Sequence, residues 1–349
     1  MAKATAGKVL TIGGQQIAPG ERKAIDLHVA QLYTHSPVTM PVEVICGKKP
    51  GPTLFVSAAV HGDEINGVEI VRRLLHLPQL KSLKGTLIAV PIVNVRGFLS
   101  QSRYCPDRRD LNRSFPGSER GSVAARLAHL FATEIVTKAD CGIDLHTGAI
   151  HRGNLPQIRA NLDDPETARL AKAFGTPINI NSNLRDGSLR EFAASQGVPM
   201  LLYEAGEALR FDETSIRAGV RGVTHVMREL GMLPKRKTKA VEPVVARASG
   251  WIRAEQSGIL RPLMALGERV KKGDVLATIS DPFGKNELPL TARYGGIIIG
   301  RLNLPLVNEG DAVFHIARFE SAGEAESTVD EFQEVHEIDT VHEQQPPVV

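Results

Sequence analysis

The sequence predicts an α/β domain built on a mixed, mostly parallel sheet with flanking helices, followed by a small all-β domain. Three observations carry this reading. Buried-type apolar runs alternate with stretches of helical spacing as far as residue 235, which is the pattern of βαβ units. From residue 240 the pattern changes to short β-type runs separated by glycine turns, such as Lys272-Gly273-Asp274 and Gly295-Gly296. The 349 residues also suit about two domains at ~150 residues each.

Taken in order, residues 1–24 are small, polar and Gly-rich and are expected to form a flexible entry segment. Residues 38–46 read as a strand. Lys48 to Pro52 reads as a turn by its Pro and Gly content. Thr53 to Val60 is a continuous apolar run, the mark of a strand buried on both faces. Val68, Val71, Leu74 and Leu75 then give helical spacing, and Thr86 to Val93 is another buried strand. Leu99 to Gly117 lacks periodicity and is rich in Arg, Asp and Pro; a loop of that length in a compact domain is usually functional. Ser122 to Lys138 is helical, and Cys141 to Leu145 and Val198 to Tyr203 are further buried strands. This places an α/β domain at 25–234. A basic linker from Lys235 to Lys239 and the small β domain complete 235–319.

In that β domain Gly267 to Ile279 resembles the hairpins of lipoyl and biotinyl domains. The tip, Ser280 to Gly284, lacks the lysine those carriers modify. The domain therefore reads as structural, a lid that could keep long polypeptides from a site. Residues 320–349 hold nine acidic residues and no Lys or Arg, and are expected to be a disordered tail. The formal charge of +3 thus divides into +12 for the body and −9 for the tail.

A basic body suits either nucleic acid or a small anionic substrate. Aromatic residues are only 5% and include one Trp, which argues against stacking on bases. Cys46, Cys105 and Cys141 form no CxxC pair, as in a reducing compartment. The first twenty residues hold no apolar core of a secretion signal. Apolar runs such as Leu87 to Val93 fall far short of the ~18 residues needed to span a bilayer. The expectation is a cytoplasmic protein with no membrane and no nucleic-acid partner, for which a homo-oligomer remains open.

Four segments could carry chemistry. His61-Gly62-Asp63-Glu64 follows the buried strand 53–60 and precedes a helix. A His and a Glu three apart at a strand end can reach one cation, and zinc accepts such nitrogen and oxygen ligands. The plainer alternative is a surface His beside a helix-capping acid. Asp144-Leu145-His146-Thr147-Gly148 places a second His at a strand end and would complete a His₂Glu set; His151 competes, without a strand to fix it. The long loop gathers Arg103, Arg108, Arg109 and Arg113 with Asn112, a set suited to binding a carboxylate unless it is simply a solvated charged loop. Glu204 closes an otherwise apolar strand and is a general-base candidate, with Glu207 behind it; alternatively it is a strand-end acid paired to an Arg.

In this order HGDE, R-Y…DLNRxFPG, DLHTG and YEAGE resemble the succinylglutamate desuccinylase/aspartoacylase family, itself similar to zinc carboxypeptidases, over roughly residues 25–232. The resemblance implies a zinc-carboxypeptidase-like fold and one Zn²⁺ per chain held by His61, Glu64 and His146. It implies that Arg103 polarises the scissile carbonyl, that Asn112 and Arg113 clamp a substrate carboxylate, and that Asp110 orients His61. Glu204 would activate water and return its proton to the leaving amine. The implied reaction is hydrolysis of an N-acyl amino acid or similar small carboxylate. The alternative is a carboxypeptidase that takes a C-terminal residue, acidic ones included, from a peptide or protein. Arg185 and Arg190 are candidates for the acyl or side-chain end. No Tyr stands within Leu304 to Glu309, where aspartoacylases place one against substrate, which weighs against N-acetylaspartate. A binding protein that had lost catalysis would be expected to lack one of these groups; all are present.

Overall fold

The computed structural model of the chain describes residues 9–236, 242–319 and 322–342. Strands β1 (Leu10–Ile12) and β2 (Gln15–Ile17) form a hairpin across Gly13 and Gly14. Both glycines have positive φ, as two-residue hairpin turns require. Ile12 and Ile17 are fully buried. Residues 10–24 are therefore a hairpin and the start of β3, not the flexible entry expected: one isoleucine per strand anchors the hairpin to the core. The expectation for residues 1–8 lies outside the described residues.

The chain continues through β3 (Arg22–Gln31), β4 (Pro37–Cys46), β5 (Lys49–Ala58), α1 (Asn66–Leu75), β6 (Lys84–Val90), α2 (Val95–Leu99) and α3 (Val123–Glu134). Next come β7 (Cys141–Gly148), β8 (Arg152–Ala160), α4 (Pro165–Phe174), β9 (Ile178–Asn181), α5 (Leu189–Ser195), β10 (Met200–Glu207) and α6 (Glu213–Glu229). Strand β5 begins at Lys49, so the turn expected over Lys48 to Pro52 is shorter than its Pro and Gly content suggested. Strands β10, β7, β5 and β6 lie side by side and parallel. Antiparallel strands flank them, β8 beside β10 and β4 beside β6, with β3 beyond β4. Helices α1, α4 and α6 pack a first apolar core on one face of the sheet. Helices α3 and α5, with the N-terminal hairpin, close a second core on the other. The fold is thus the mixed α/β architecture that the strand–helix alternation predicts.

The remaining strands are β11 (Val244–Ala246), β12 (Ala248–Arg253), β13 (Gly258–Pro262), β14 (Arg269–Val270), β15 (Val275–Ser280), β16 (Leu288–Thr291), β17 (Gly296–Leu302), β18 (Leu306–Val307) and β19 (Ala312–Arg318). They enclose an apolar core of their own. They also extend the large sheet. Strand β17 pairs antiparallel with β8, setting Gly300 opposite Asn154, and β19 and β12 follow outward. Strand β11 pairs with β9. Of the expected linker, residues 237–241 lie outside the described residues.

The acidic tail departs from expectation, because α7 (Ala322–His342) is a helix. Ala325, Val329 and Phe332 recur at helical spacing and are 0–2% exposed. Phe332 joins the core beside α4 and α6, and Ala325 and Val329 join residues of β8, β9 and β17. Three apolar positions on one stripe suffice to order a segment whose composition reads as disordered. Residues 343–349 lie outside the described residues. No described helix is long and apolar enough to cross a membrane.

Candidate active site

The site forms at the carboxyl ends of the parallel strands, where open α/β sheets bind ligands. Beyond β5 the chain turns sharply at His61-Gly62. A Cβ on Gly62 would come 2.0 Å from the Gly97 carbonyl carbon, so only glycine lets this turn press against α2. Just before it, Ala59 holds φ at +50°, a conformation costly for a residue with a side chain. The result buries His61 and Glu64 at 4% and 2% exposure, facing His146 near the end of β7 at 3%.

Glu64 is the hub. Its Oε1 lies 2.7 Å from His61 Nδ1 and its Oε2 lies 2.7 Å from His146 Nδ1. The Thr147 backbone N–H donates to Oε2 at 3.1 Å, and Arg103 donates to Oε1 at 3.1 Å. Both imidazoles turn their other nitrogen outward to a carboxylate: His61 Nε2 to Asp110 at 3.1 Å and His146 Nε2 to Asp144 at 2.6 Å. Asp144 accepts in turn from Ser57, and Asp110 from Arg103 and the Asn112 N–H. Burial would push Glu64 up, but the two imidazoles and their hydrogen bonds hold it well below the ordinary carboxylate range. Burial would push both imidazoles down, yet the facing carboxylates raise them. Asp110, half-buried, is held low despite desolvation by His61 and Arg103.

His61, Glu64 and His146 each present a ligand atom, all within 4.8 Å of one another, and could hold a metal ion. The donor set fits a divalent cation. Glu64, Asp110 and Asp144 bring three negative charges and Arg103 one positive. The outward carboxylates orient the rings as metal-site imidazoles require.

Glu204 sits one strand over. In register it pairs with His146 on β7 and with Gln157 on β8. Its Oε2 accepts from Asn154 Nδ2 at 2.7 Å, and its Oε1 lies 3.8 Å from Arg159 Nε. The strand then kinks at Gly206, whose φ is +75°. Asn112 is buried; its side-chain oxygen accepts from the Leu189 N–H at 2.9 Å, which leaves its NH₂ as the group on offer. Arg113 folds back onto the Asn112 carbonyl and opens on the same cleft.

The cleft has a volume of about 220 Å³ and is lined by His61, Glu64, His146, Arg103, Asn112, Arg113 and Glu204 together. Asp110 stands behind His61. His151 does not join: it is half-exposed, 4.0 Å from Glu207, and Glu207 instead accepts from the His151 N–H and from Asn303 beyond β17. Sequence reasoning missed Asn154, Arg152 and Arg159 because β8 is no apolar run, and Trp251 because it stands on β12, far along the chain. Its being the one Trp was the only signal. Trp251 stacks on His315 at 4.6 Å, with the Arg152 guanidinium 5.3 Å from its ring centroid. A larger groove of about 400 Å³ beside the N-terminal hairpin contains none of the cluster.

A mixed α/β sheet carries a His₂Glu cluster at its strand ends, a potential metal site, with arginines lining the same cleft. The chain belongs to the succinylglutamate desuccinylase/aspartoacylase family: the model of that family's catalytic domain matches residues 50–230. It is 30% identical over 294 residues to N-alpha-acetyl-L-2,4-diaminobutyric acid deacetylase of Halomonas elongata, covering 80% of this chain and 86% of that one. Among solved structures it resembles a succinylglutamate desuccinylase/aspartoacylase from Rhodobacter sphaeroides (TM-score 0.77, 26% identity, 85% of this chain and 96% of that one). The product-bound ectoine utilization protein EutE (DoeB) from Ruegeria pomeroyi is equally similar (TM-score 0.77, 26% identity, 85% and 95% coverage).

Proposed function

We propose that the protein is a zinc-dependent amidohydrolase that cleaves the amide bond of a small N-acyl amino acid. The observation that carries this reading is the placement of Glu204 beside His146 in sheet register, facing the same cleft as the His61–Glu64–His146 cluster. His61 and His146 through Nδ1 and Glu64 through its carboxylate would hold the ion. Bound there, zinc would supply Lewis acidity toward the carbonyl and lower the pKa of water.

The chain's own groups supply the rest. Asn112 and Arg113 would fix the substrate carboxylate with charge-assisted hydrogen bonds. Arg103, held by Glu64 and Asp110, would face the charge that develops on the carbonyl oxygen. Glu204 would take a proton from the attacking water and pass it to the leaving nitrogen as the C–N bond breaks, releasing the free acid and the amine. Asn154 holds one oxygen of Glu204 and so fixes the carboxylate for that transfer. A small substrate is favoured over a peptide C-terminus because the cleft holds only about 220 Å³ and Trp251, from the C-terminal strands, forms part of its wall.

Glu204→Gln is expected to keep fold and metal and to lose ~10²-fold or more in turnover. Near-normal turnover would refute the base assignment.

A further inference from the structure

Trp251, His315, Gly300 and Asn154 stand opposite one another in a single row across β12, β19, β17 and β8. Residues paired in this way project from the same face of a sheet. The Trp251 side chain lies along that row. Its indole stacks on the His315 imidazole, with ring centroids 4.6 Å apart and planes 8° from parallel. Burial pushes the His315 pKa down to about 3, so an uncharged ring lies under the indole at neutral pH. The ring is fixed at its other end, where Nε2 lies 2.9 Å from Ser249 Oγ. The far edge of the indole then reaches β17, two strands and about 10 Å from its own.

It can do so because residue 300 is glycine. A Cβ there would lie 3.6 Å from Trp251 Cη2, 3.2 Å from His315 Cβ and 3.0 Å from Asn154 Oδ1. The φ of Gly300 is not positive, so the demand for glycine is steric. The space of the missing side chain is shared by the indole edge and the Asn154 amide. Asn154 is 9% exposed, and from its other side Nδ2 donates to Glu204 Oε2 at 2.7 Å. The row therefore ends on the carboxylate proposed as the base.

We infer that Gly300 and Trp251 are positioning residues that act on Glu204 through Asn154: they fix where the Asn154 amide stops, and so where the Glu204 carboxylate points. This rests on the reading of Glu204 as the base. It gives the C-terminal strands a role in turnover besides forming a wall.

The test uses the full-length, zinc-loaded protein. The substrate is whichever of N-acetyl-L-alanine, N-acetyl-L-aspartate and N-acetyl-L-2,4-diaminobutyrate the wild type cleaves best. Gly300→Ala is expected to keep stoichiometric zinc and to lower kcat by about tenfold to a hundredfold with KM little changed, as a displaced reacting group does. The decisive readout is coupling to Asn154. Asn154→Ala should lower kcat by a similar factor, and the double variant should lose no more than Asn154→Ala alone. A double variant that loses the product of the two factors would overturn the inference, because Gly300 would then serve packing only. So would a Gly300→Ala with unchanged kcat, or one whose whole loss is in KM. If Gly300→Ala does not fold, Trp251→Leu takes its place in the same cycle, read in kcat at saturating substrate. If none of the three compounds is cleaved, or if Glu204→Gln turns over normally, the amidohydrolase reading fails instead. The row is then judged by a crystal structure of Gly300→Ala: an Asn154 amide moved off Glu204 supports it, and an intact bond refutes it.

Discussion

Two walls of one cleft handle charge in opposite ways. Both ring nitrogens of His61 and of His146 and both carboxylate oxygens of Glu64 have a partner, and carboxylates outnumber the arginine that faces them. Around Arg159 and Arg190 the excess is positive and hydrogen-bond capacity is left unspent. The first wall is organised by the chain itself and suits a cation. The second turns its excess positive charge toward the cleft. The difference teaches that the chain's own residues balance charge around the His61–Glu64–His146 cluster and leave a positive excess on the arginine side.

The largest break in that contrast should come from the hub. Glu64→Gln removes the proposed ligand and the charge that both imidazoles face, and is expected to abolish stoichiometric zinc and all measurable hydrolysis. Metal analysis of the purified variant checks this; full zinc occupancy would contradict the assignment. Asp144→Asn should weaken zinc affinity by about 10–100-fold, because it alters the outward bond of His146 without removing any of the three proposed ligands. Competition with a chelator measures it.

A stability effect comes next. Phe332→Ala removes a fully buried ring from α7 and should cost about 3–5 kcal/mol. Denaturant unfolding would read it, and a change below ~1 kcal/mol would mean that α7 does not anchor the fold.

The smallest expected effect is a pH slope. Burial pushes His315, under Trp251, down to about 3, and Arg159 adds to the shift. The unfolded chain binds its proton near pH 6.5 while the folded chain does not. Stability is therefore present above pH 6.5 and falls as pH drops toward 3, by at most ~1.4 kcal/mol per pH unit. His315→Gln should flatten part of the slope between pH 6 and 4 in unfolding midpoints.

Much of the site was legible in the sequence because its residues end or follow apolar strands. His61, His146 and Glu204 each come where an apolar run of the sequence stops, and the register of β7 with β10 sets Glu204 beside His146. What was not legible depended on long-range pairing or on weak local patterns. Strand β8 is buried yet carries Asn154, Gln157 and Arg159, so no apolar run marks it, and the arginine wall was read only in part. Trp251 reaches the cleft because β17, β19 and β12 extend the sheet from β8, a pairing that no local spacing encodes. The hairpin at Gly13-Gly14 and the stripe of α7 did have signals. They were two isoleucines around a glycine pair and three apolar residues among acids, outweighed by composition.

The central claim is metal-dependent cleavage of an amide in a small N-acyl amino acid. Its most direct test is product analysis by mass spectrometry. Zinc-loaded protein, with Glu204→Gln as control, would meet a mixture of N-acyl amino acids and short peptides with free C-termini. Release of free amino acids from the acylated compounds by the wild type alone, with the peptides intact, is the expected result. Stepwise shortening of the peptides, or hydrolysis that persists after the zinc is stripped, would contradict it.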